Sequence, residues 1–514
     1  MLAFIGRRLG TLFVILFGSS FILYNLTAIS GDPRDQFRFS TDEESQAALR
    51  ELVRQLDLDT PPPLRYFKWL KGVVGLFYGN PNFGLTRDNE DVLTRLAAAI
   101  PTTLKLVTAA TLTAILLGIA LGIVTALRQY SRFDYVVTFF SFLMFSLPIF
   151  WVAVLLKQFL AIEFNDFLAV GYIDIKWRLI MATFAAIFWA GVLGGSRARL
   201  AKVAGTAFVI TFVLLSAIVS LKWFYDPSLG PIVVFLLSLG IAFAVTAISM
   251  GLDNRPALKS SISIAVITLL LYYPLQYIFD KYSSWLLILI LAVLTIGTAT
   301  LISIAFAKID RGSVIRTTIL TSIGCGFIVI LDRLLSTWKG YLVLDGVNGR
   351  PIPTVGQINP LLTTTDFWII LLDSVVHLIL PTIALTLISF AGYIRFSRGT
   401  MLEVLNQDYI RTARAKGLNE RVVVVRHAFR NTMIPLTTII VVDLAGIIGG
   451  AIITERVFGW SGMGTLFNKA ISTYDLNLLM GVFAVTATLS VLANLVADLL
   501  YAALDPRIRV GAGK

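Results

Sequence analysis

Residues 104–127 read LKLVTAATLTAILLGIALGIVTAL, twenty-four positions carrying one charge, Lys105. A helix of that length spans the roughly 30 Å of hydrocarbon in a bilayer, for which about 20 apolar residues suffice. Its apolar residues do not alternate, so a transmembrane barrel strand is excluded and the backbone polar groups must be satisfied within a helix. Similar runs recur from one end of the chain to the other. The first covers residues 9–28. After the quoted run come 135–162, then six more near 177–195, 203–224, 231–250, 261–279, 284–306 and 317–336. The last three lie near 370–394, 433–454 and 479–503. The length criterion thus predicts an all-α polytopic membrane protein of about twelve transmembrane helices.

Composition agrees with that reading. Of 514 residues 57% are hydrophobic and only 14% charged, where soluble domains carry about a quarter charged residues. The mean hydropathy is +0.81. A net charge of +12 points to nucleic acid only if its residues form one surface, and here Lys and Arg cluster in short loops instead. With the N-terminus inside, the even-numbered spans are each followed by a basic segment: Arg128 and Arg132; Arg197, Arg199 and Lys202; Arg255 and Lys259; Lys308, Arg311 and Arg316; residues 395–430; and Arg507, Arg509 and Lys514. That is the positive-inside pattern, and it places both termini in the cytoplasm. The segment 30–100 falls outside; loops of that length cross regardless of charge.

Arg7 and Arg8 before an apolar run, with Ala28-Ile29-Ser30 after it, also fit a cleaved leader. The run is longer than a usual leader core, which favours a first span. Cys325 has no partner in the chain, and two histidines, His377 and His427, are too few for a metal site. No internal period of 20 to 50 residues is visible. The phosphate-loop pattern is missing, the one Gly-Lys pair being Gly513-Lys514. No nucleophile and base can be paired.

The loop 395–432 is long, basic and patterned like short helices. Its centre is Asp408-Tyr409-Ile410-Arg411-Thr412-Ala413-Arg414-Ala415-Lys416-Gly417-Leu418, followed by Arg426-His427-Ala428-Phe429-Arg430-Asn431. Spacing of four puts Tyr409, Ala413 and Gly417 on one small-residue face that another surface can approach closely. Gly417 can end the helix. On these residues alone a docking element and a basic loop lying on anionic headgroups remain equally open.

This stretch resembles the EAA loop of ABC importer permeases, in the form found in the dipeptide, oligopeptide and nickel family. Arg411-Thr412-Ala413 stands where the general pattern has Glu-Ala-Ala, a departure usual in the peptide branch. Other segments resemble the same family in order: Gly31-Asp32-Pro33, Ile100-Pro101-Thr102-Thr103-Leu104, Ser146-Leu147-Pro148-Ile149-Phe150-Trp151, His377-Leu378-Ile379-Leu380-Pro381, Glu455-Arg456-Val457-Phe458-Gly459-Trp460-Ser461-Gly462-Met463-Gly464 and Leu504-Asp505-Pro506-Arg507-Ile508-Arg509. The resemblance covers about residues 1–165 and 365–514, six spans. It implies a permease core in two parts, 1–165 and 366–514, with 166–365 as an inserted membrane block of six spans. An even number of crossings leaves the sidedness of the later loop unchanged.

The resemblance further implies half of a translocation pore in an ATP-driven, binding-protein-dependent importer of the peptide branch, in the prokaryotic inner membrane. Residues 413–421 would form the coupling helix, with Arg411, Thr412, Ala413, Arg414, Ala415, Lys416, Gly417 and Leu418 facing an ATPase groove. Phe458, Gly459, Trp460 and Gly462 would sit at the outer gate or at the docking surface for the binding protein. Implied partners are a second homologous permease subunit, two cytoplasmic ATP-binding subunits and an external substrate-binding protein, with surrounding lipid and no nucleic acid. ATP and Mg would belong to the partner subunits, leaving this chain without a cofactor.

Asp443, mid-span, either lines the pathway or pairs with a neighbouring helix. Asp373 and His377, one turn apart, read as a proton switch or as capping and packing. Lys105 and Lys157 read as snorkelling to the interface. A secondary transporter of about twelve spans fits the hydropathy too, but it would show broken helices and intramembrane charge in paired halves. A membrane-embedded enzyme would need clustered acids or histidines at one membrane face.

Overall fold

The computed structural model describes residues 2–37, 42–308, 310–446 and 451–504. Their regular structure is helical apart from one isolated bridge between Leu85 and Asp91. The first part holds α1 (Leu2–Ser30), α2 (Glu43–Gln55), α3 (Pro62–Val74), α4 (Val92–Leu127), α5 (Arg132–Ser146), α6 (Ile149–Leu156) and α7 (Glu163–Val170). The middle holds α8 (Ile175–Leu193), α9 (Arg197–Ser220), α10 (Gly230–Ser249), α11 (Arg255–Leu270), α12 (Tyr272–Lys281), α13 (Trp285–Phe306) and α14 (Arg311–Leu342). The last part holds α15 (Phe367–Leu405), α16 (Asp408–Ala415), α17 (Glu420–Val422), α18 (Arg430–Gly446), α19 (Ile452–Phe458), α20 (Met463–Ser472) and α21 (Leu476–Leu504).

Among the described residues nine helices are long and apolar enough to cross a membrane, and two bent helix pairs bring the number to eleven. The remaining expected span, near 433–454, is described as α18, 17 residues or about 26 Å; its residues 447–450 lie outside the described residues, as do 505–509 of the C-terminal motif. The third and seventh spans are not straight, contrary to expectation. The third bends by 103° between α5 and α6, because Leu147, preceding Pro148, is held in extended backbone at φ −82 and ψ 131. The seventh bends by 54° between α11 and α12, where Pro274 supplies no N–H to the Leu270 carbonyl and crowds it.

The centre of the molecule is the long contact between α4 and α15. Gly118 and Gly122, four apart, let the backbones close: a Cβ on Gly118 would lie 2.4 Å from Tyr393 Cβ, and one on Gly122 1.8 Å from Ser397 Oγ. Ser397 Oγ then donates to the Gly118 carbonyl at 3.2 Å. Without a hydrophobic force between helices in lipid, such small-residue seams and interhelical hydrogen bonds hold spans together.

Contacts gather the loops at two opposite ends of the helices. On one side the 30–100 segment meets the segment after α20. Asp475 accepts from the Arg87 N–H at 2.8 Å, Arg87 also donates to the Thr473 carbonyl, and Lys469 pairs with Asp88 at 2.5 Å. On the other, the basic loops converge: Asp134 takes both donors of Arg398 at 2.9 and 3.0 Å, and Ala126 packs with Met401, Ile410 and Ala413.

In the middle part, α10, α11, α13 and α14 pack as a bundle whose α14 lies against α15. Asp332 of α14 is buried, 1% exposed. It accepts from the N–H groups of Leu229 and Gly230 at 2.7 and 3.2 Å, at the start of α10, and from Tyr272 Oη at 2.6 Å. A carboxylate there satisfies donors that the helix leaves open and opposes the positive end of its dipole. Asp332→Ala is expected to destabilise the protein by about 2–4 kcal/mol by stranding these donors. A lowered unfolding midpoint in mixed micelles checks it, with Asp332→Asn intermediate.

Candidate functional site

The loop that follows α15 is shorter than its sequence suggested, since α15 continues to Leu405 and absorbs the first eleven positions. After it, α16 runs to Ala415 and stops in a tight cap. Gly417 sits at φ +74. Its N–H donates to the Arg414 carbonyl at 2.9 Å and that of Leu418 to Ala413 at 3.4 Å. This is the pairing of a left-handed C-cap, for which glycine carries the least strain. Arg414 then clamps the turn by donating to both carboxylate oxygens of Glu420, at 3.1 and 2.6 Å, and its guanidinium holds the Glu420 carboxyl below the usual carboxylate range.

One expected face is corrected by this geometry. Ala413 is buried, 7% exposed, against Ile410, Val423 and Ala428 of the chain itself. Of the face formed by Tyr409, Ala413 and Gly417, Ala413 is therefore already occupied from within, while Tyr409 and Gly417 stay exposed. What the turn presents outward is Arg411, Thr412, Arg414, Ala415, Lys416, Gly417 and Leu418, all exposed. A Cβ on Gly417 would meet nothing within 4 Å. The result is a basic-rimmed knob on a buried apolar pedestal.

At the opposite end, the segment 455–464 folds around Glu455, which is fully buried. Its Oε1 accepts from Thr103 Oγ1 at 2.7 Å; its Oε2 accepts from the Thr465 N–H at 2.9 Å and from Thr465 Oγ1 at 3.3 Å. Thr103 in turn accepts from the Met463 N–H at 2.8 Å. Gly462 is required here: a Cβ would lie 2.4 Å from both Glu455 Oε1 and Thr103 Oγ1. Gly459, at φ +66, turns the chain after α19.

Phe458 and Trp460 are each 2% exposed, packed among Leu106, Tyr341, Leu372 and Val376. Of the two roles expected for them, outer gate or docking surface, the docking one is corrected accordingly, because their rings are consumed in the interior. Lys157 is not free to snorkel. Its Nζ donates to the Val457 carbonyl at 2.9 Å, an open acceptor at the negative end of α19. Lys105 is exposed.

Asp373 and His377 form a packing cluster. Asp373 accepts from Tyr341 Oη at 2.8 Å and from the Asn359 N–H at 3.0 Å. His377 Nδ1 lies 2.7 Å from the Asp373 main-chain oxygen, which can only accept, so that nitrogen carries the proton. Asp443 pairs with a neighbouring helix, the second of the readings weighed for it. Its Oδ2 accepts from Tyr393 Oη at 2.6 Å, and it lines a cavity of about 470 Å³ with Ser389, Gly392, Tyr393, Arg395 and Phe396. Broken helices and intramembrane acids thus do occur, but Asp332 and Asp373 are bonded to fixed structural partners.

Comparison with known proteins gives the same direction as the sequence. Residues 349–510 match the family model of the binding-protein-dependent transport system inner membrane component. The chain is similar to the oligopeptide transport system permease protein AppB of Bacillus subtilis, 39% identical over 40% of this chain and 60% of the relative. It is similar to OppB of Mycobacterium tuberculosis, 39% identical over 36% of this chain and 54% of the relative. With the dipeptide permease protein DppB of Escherichia coli it shares 45% identity over 27% of this chain and 41% of the relative. The matched stretch thus spans about half the length of these relatives. Residues 349–510 are thus similar to the inner membrane components of binding-protein-dependent transport systems.

Proposed function

We propose that this chain is a transmembrane permease subunit of an ATP-driven, binding-protein-dependent importer of the inner membrane, carrying peptides. In this reading residues 1–165 and 366–514 form half of the pore, paired with a second homologous subunit, and 166–365 are an inserted block. Two cytoplasmic subunits bind ATP and Mg and hydrolyse ATP, and an external protein delivers the substrate. The observation that carries the reading is the exposed turn from Arg411 to Leu418, a rigid basic knob set on the buried Ile410 and Ala413. A knob locked by its own C-cap and ion pair can transmit displacement from an ATPase groove. The cavity beside Asp443 and Tyr393 supplies a polar stretch for the pathway. The named peptide permeases among its relatives favour this function over a secondary transporter of about twelve spans.

The test is Gly417→Asp. The site is open and left-handed, a conformation Asp tolerates better than most residues. Expression and melting temperature are therefore expected to stay near wild type. A carboxylate on the basic rim is expected to weaken retention of the ATPase subunits about tenfold or more in co-purification. Retained ATPase subunits together with substrate-stimulated hydrolysis in that variant would remove the coupling role from this turn.

A further inference from the structure

The knob is tied to the middle bundle at one point. The last turn of α10 ends with both Met250 and Gly251 donating to the Thr246 carbonyl, at 3.0 and 2.9 Å. In a continuing helix the Gly251 N–H would instead reach Ala247. The Ala247 carbonyl is thereby left without its backbone donor, at the negative end of the α10 dipole. Arg421 Nη2 donates to that carbonyl. The approach is close: Gly251, buried and at φ +92, would place a Cβ 2.4 Å from Arg421 Nη1.

Both sides of this contact are rigid. On the loop side, Arg421 follows Glu420, which Arg414 clamps, and its own N–H donates to Asn419 Oδ1 at 3.0 Å. On the bundle side, the end of α10 is fastened by Thr246 to Ser261 of α11 at 3.0 Å and by Ser249 to Thr317 of α14 at 2.5 Å. The same bundle grips the far end of α15, where Asp373 takes the Tyr341 hydroxyl of α14. Residues 230–342 therefore touch the rest of the chain at both ends of their helices. Among the described residues no carboxylate pairs with Arg421, so its charge is directed at a backbone carbonyl.

We infer that Arg421 is a positioning residue through which the inserted bundle sets the placement of the coupling turn, so that the bundle takes part in coupling and is not a passive addition. This rests on the importer reading above. A charge-assisted hydrogen bond onto an otherwise open helix-end carbonyl restrains the turn relative to the membrane. The α10 seam transmits that restraint to α14 and α15. Any movement of the turn driven by the ATPase subunits must carry the bundle with it or break this bond.

Two measurements test it. The first is hydrogen–deuterium exchange on the chain alone in nanodiscs, which does not depend on the importer reading. Arg421→Ala is expected to speed exchange of the Met250 and Gly251 amides and of those at 418–423 about tenfold, with Arg421→Lys near wild type because an ammonium still reaches one carbonyl. Unchanged exchange overturns the tether. The second is the basal ATP hydrolysis rate of the assembled importer in nanodiscs, without substrate. Arg421→Ala and Gly251→Ala, which pushes the guanidinium away, are each expected to change it about fivefold. The double variant is expected to change it no further, and Arg421→Lys to leave it near wild type. Altered exchange with an unaltered hydrolysis rate, or effects that multiply in the double variant, overturns the coupling role. Failure of wild-type chain to recruit ATPase subunits sinks the importer reading and this role with it, and is told apart by the exchange result.

Discussion

Glu455→Ala is expected to cost about 3–5 kcal/mol of folding stability, among the largest single-residue losses in this chain. The carboxylate is fully buried and accepts three hydrogen bonds, from Thr103 and twice from Thr465. Truncation removes all three and strands a hydroxyl and an N–H in the interior. It also opens space beside Gly462, whose lack of a side chain exists to admit this group. Glu455→Gln keeps the shape and one acceptor oxygen, but turns an amide donor toward one set of donors. Its loss is expected to be about half as large. Denaturant or detergent unfolding, followed by tryptophan fluorescence from buried Trp460, reads both. An alanine variant as stable as wild type would show that the segment 455–464 is not organised around this carboxylate.

The second large effect concerns Asp134 and Arg398. The Asp134 carboxylate is 3% exposed and takes both Arg398 donors, with a third bond from the Tyr130 N–H at 3.0 Å. Removing the cation leaves a buried charge with only hydrogen bonds from Tyr130 and Thr138 and no counter-charge, so Arg398→Ala is expected to cost about 3–5 kcal/mol. Arg398→Lys keeps the charge but not the two-pronged geometry and is expected to recover only part of that. The double variant Asp134→Ala with Arg398→Ala is expected to be more stable than Arg398→Ala alone, since it no longer carries the stranded carboxylate. If the single losses add in the double variant, the two groups are not coupled.

Much of the fold was legible because lipid imposes a simple rule: runs of apolar residues of sufficient length become helices, and loop charge sets their direction. The bends were not read, although Pro148 and Pro274 were in plain view, because hydropathy ignores the residues that break a helix. Gly118 and Gly122 carried a recognisable spacing and Asp332 was an acid within a span, so both could have been singled out. The site was legible in part. The motif around Gly417 located the knob, but not that Ala413 would be covered by Val423 and Ala428. Glu455 stood at the head of a recognised segment without any sign that it would be buried against Thr103, 352 positions away. The partner of Arg421 was unreadable, since a backbone carbonyl has no residue identity and its availability depends on how α10 ends.

The seam between α4 and α15 also has a timetable. Gly118 precedes the Ser397 that bonds it by 279 residues, and at about 5–20 residues per second of synthesis the partner arrives roughly 14 to 56 s later. During that interval the groove at Gly118 and Gly122 is without the α15 residues that fill it, while α8 to α14 are synthesised. Biogenesis of this protein is thus a matter of keeping that groove unclaimed by the helices that emerge first.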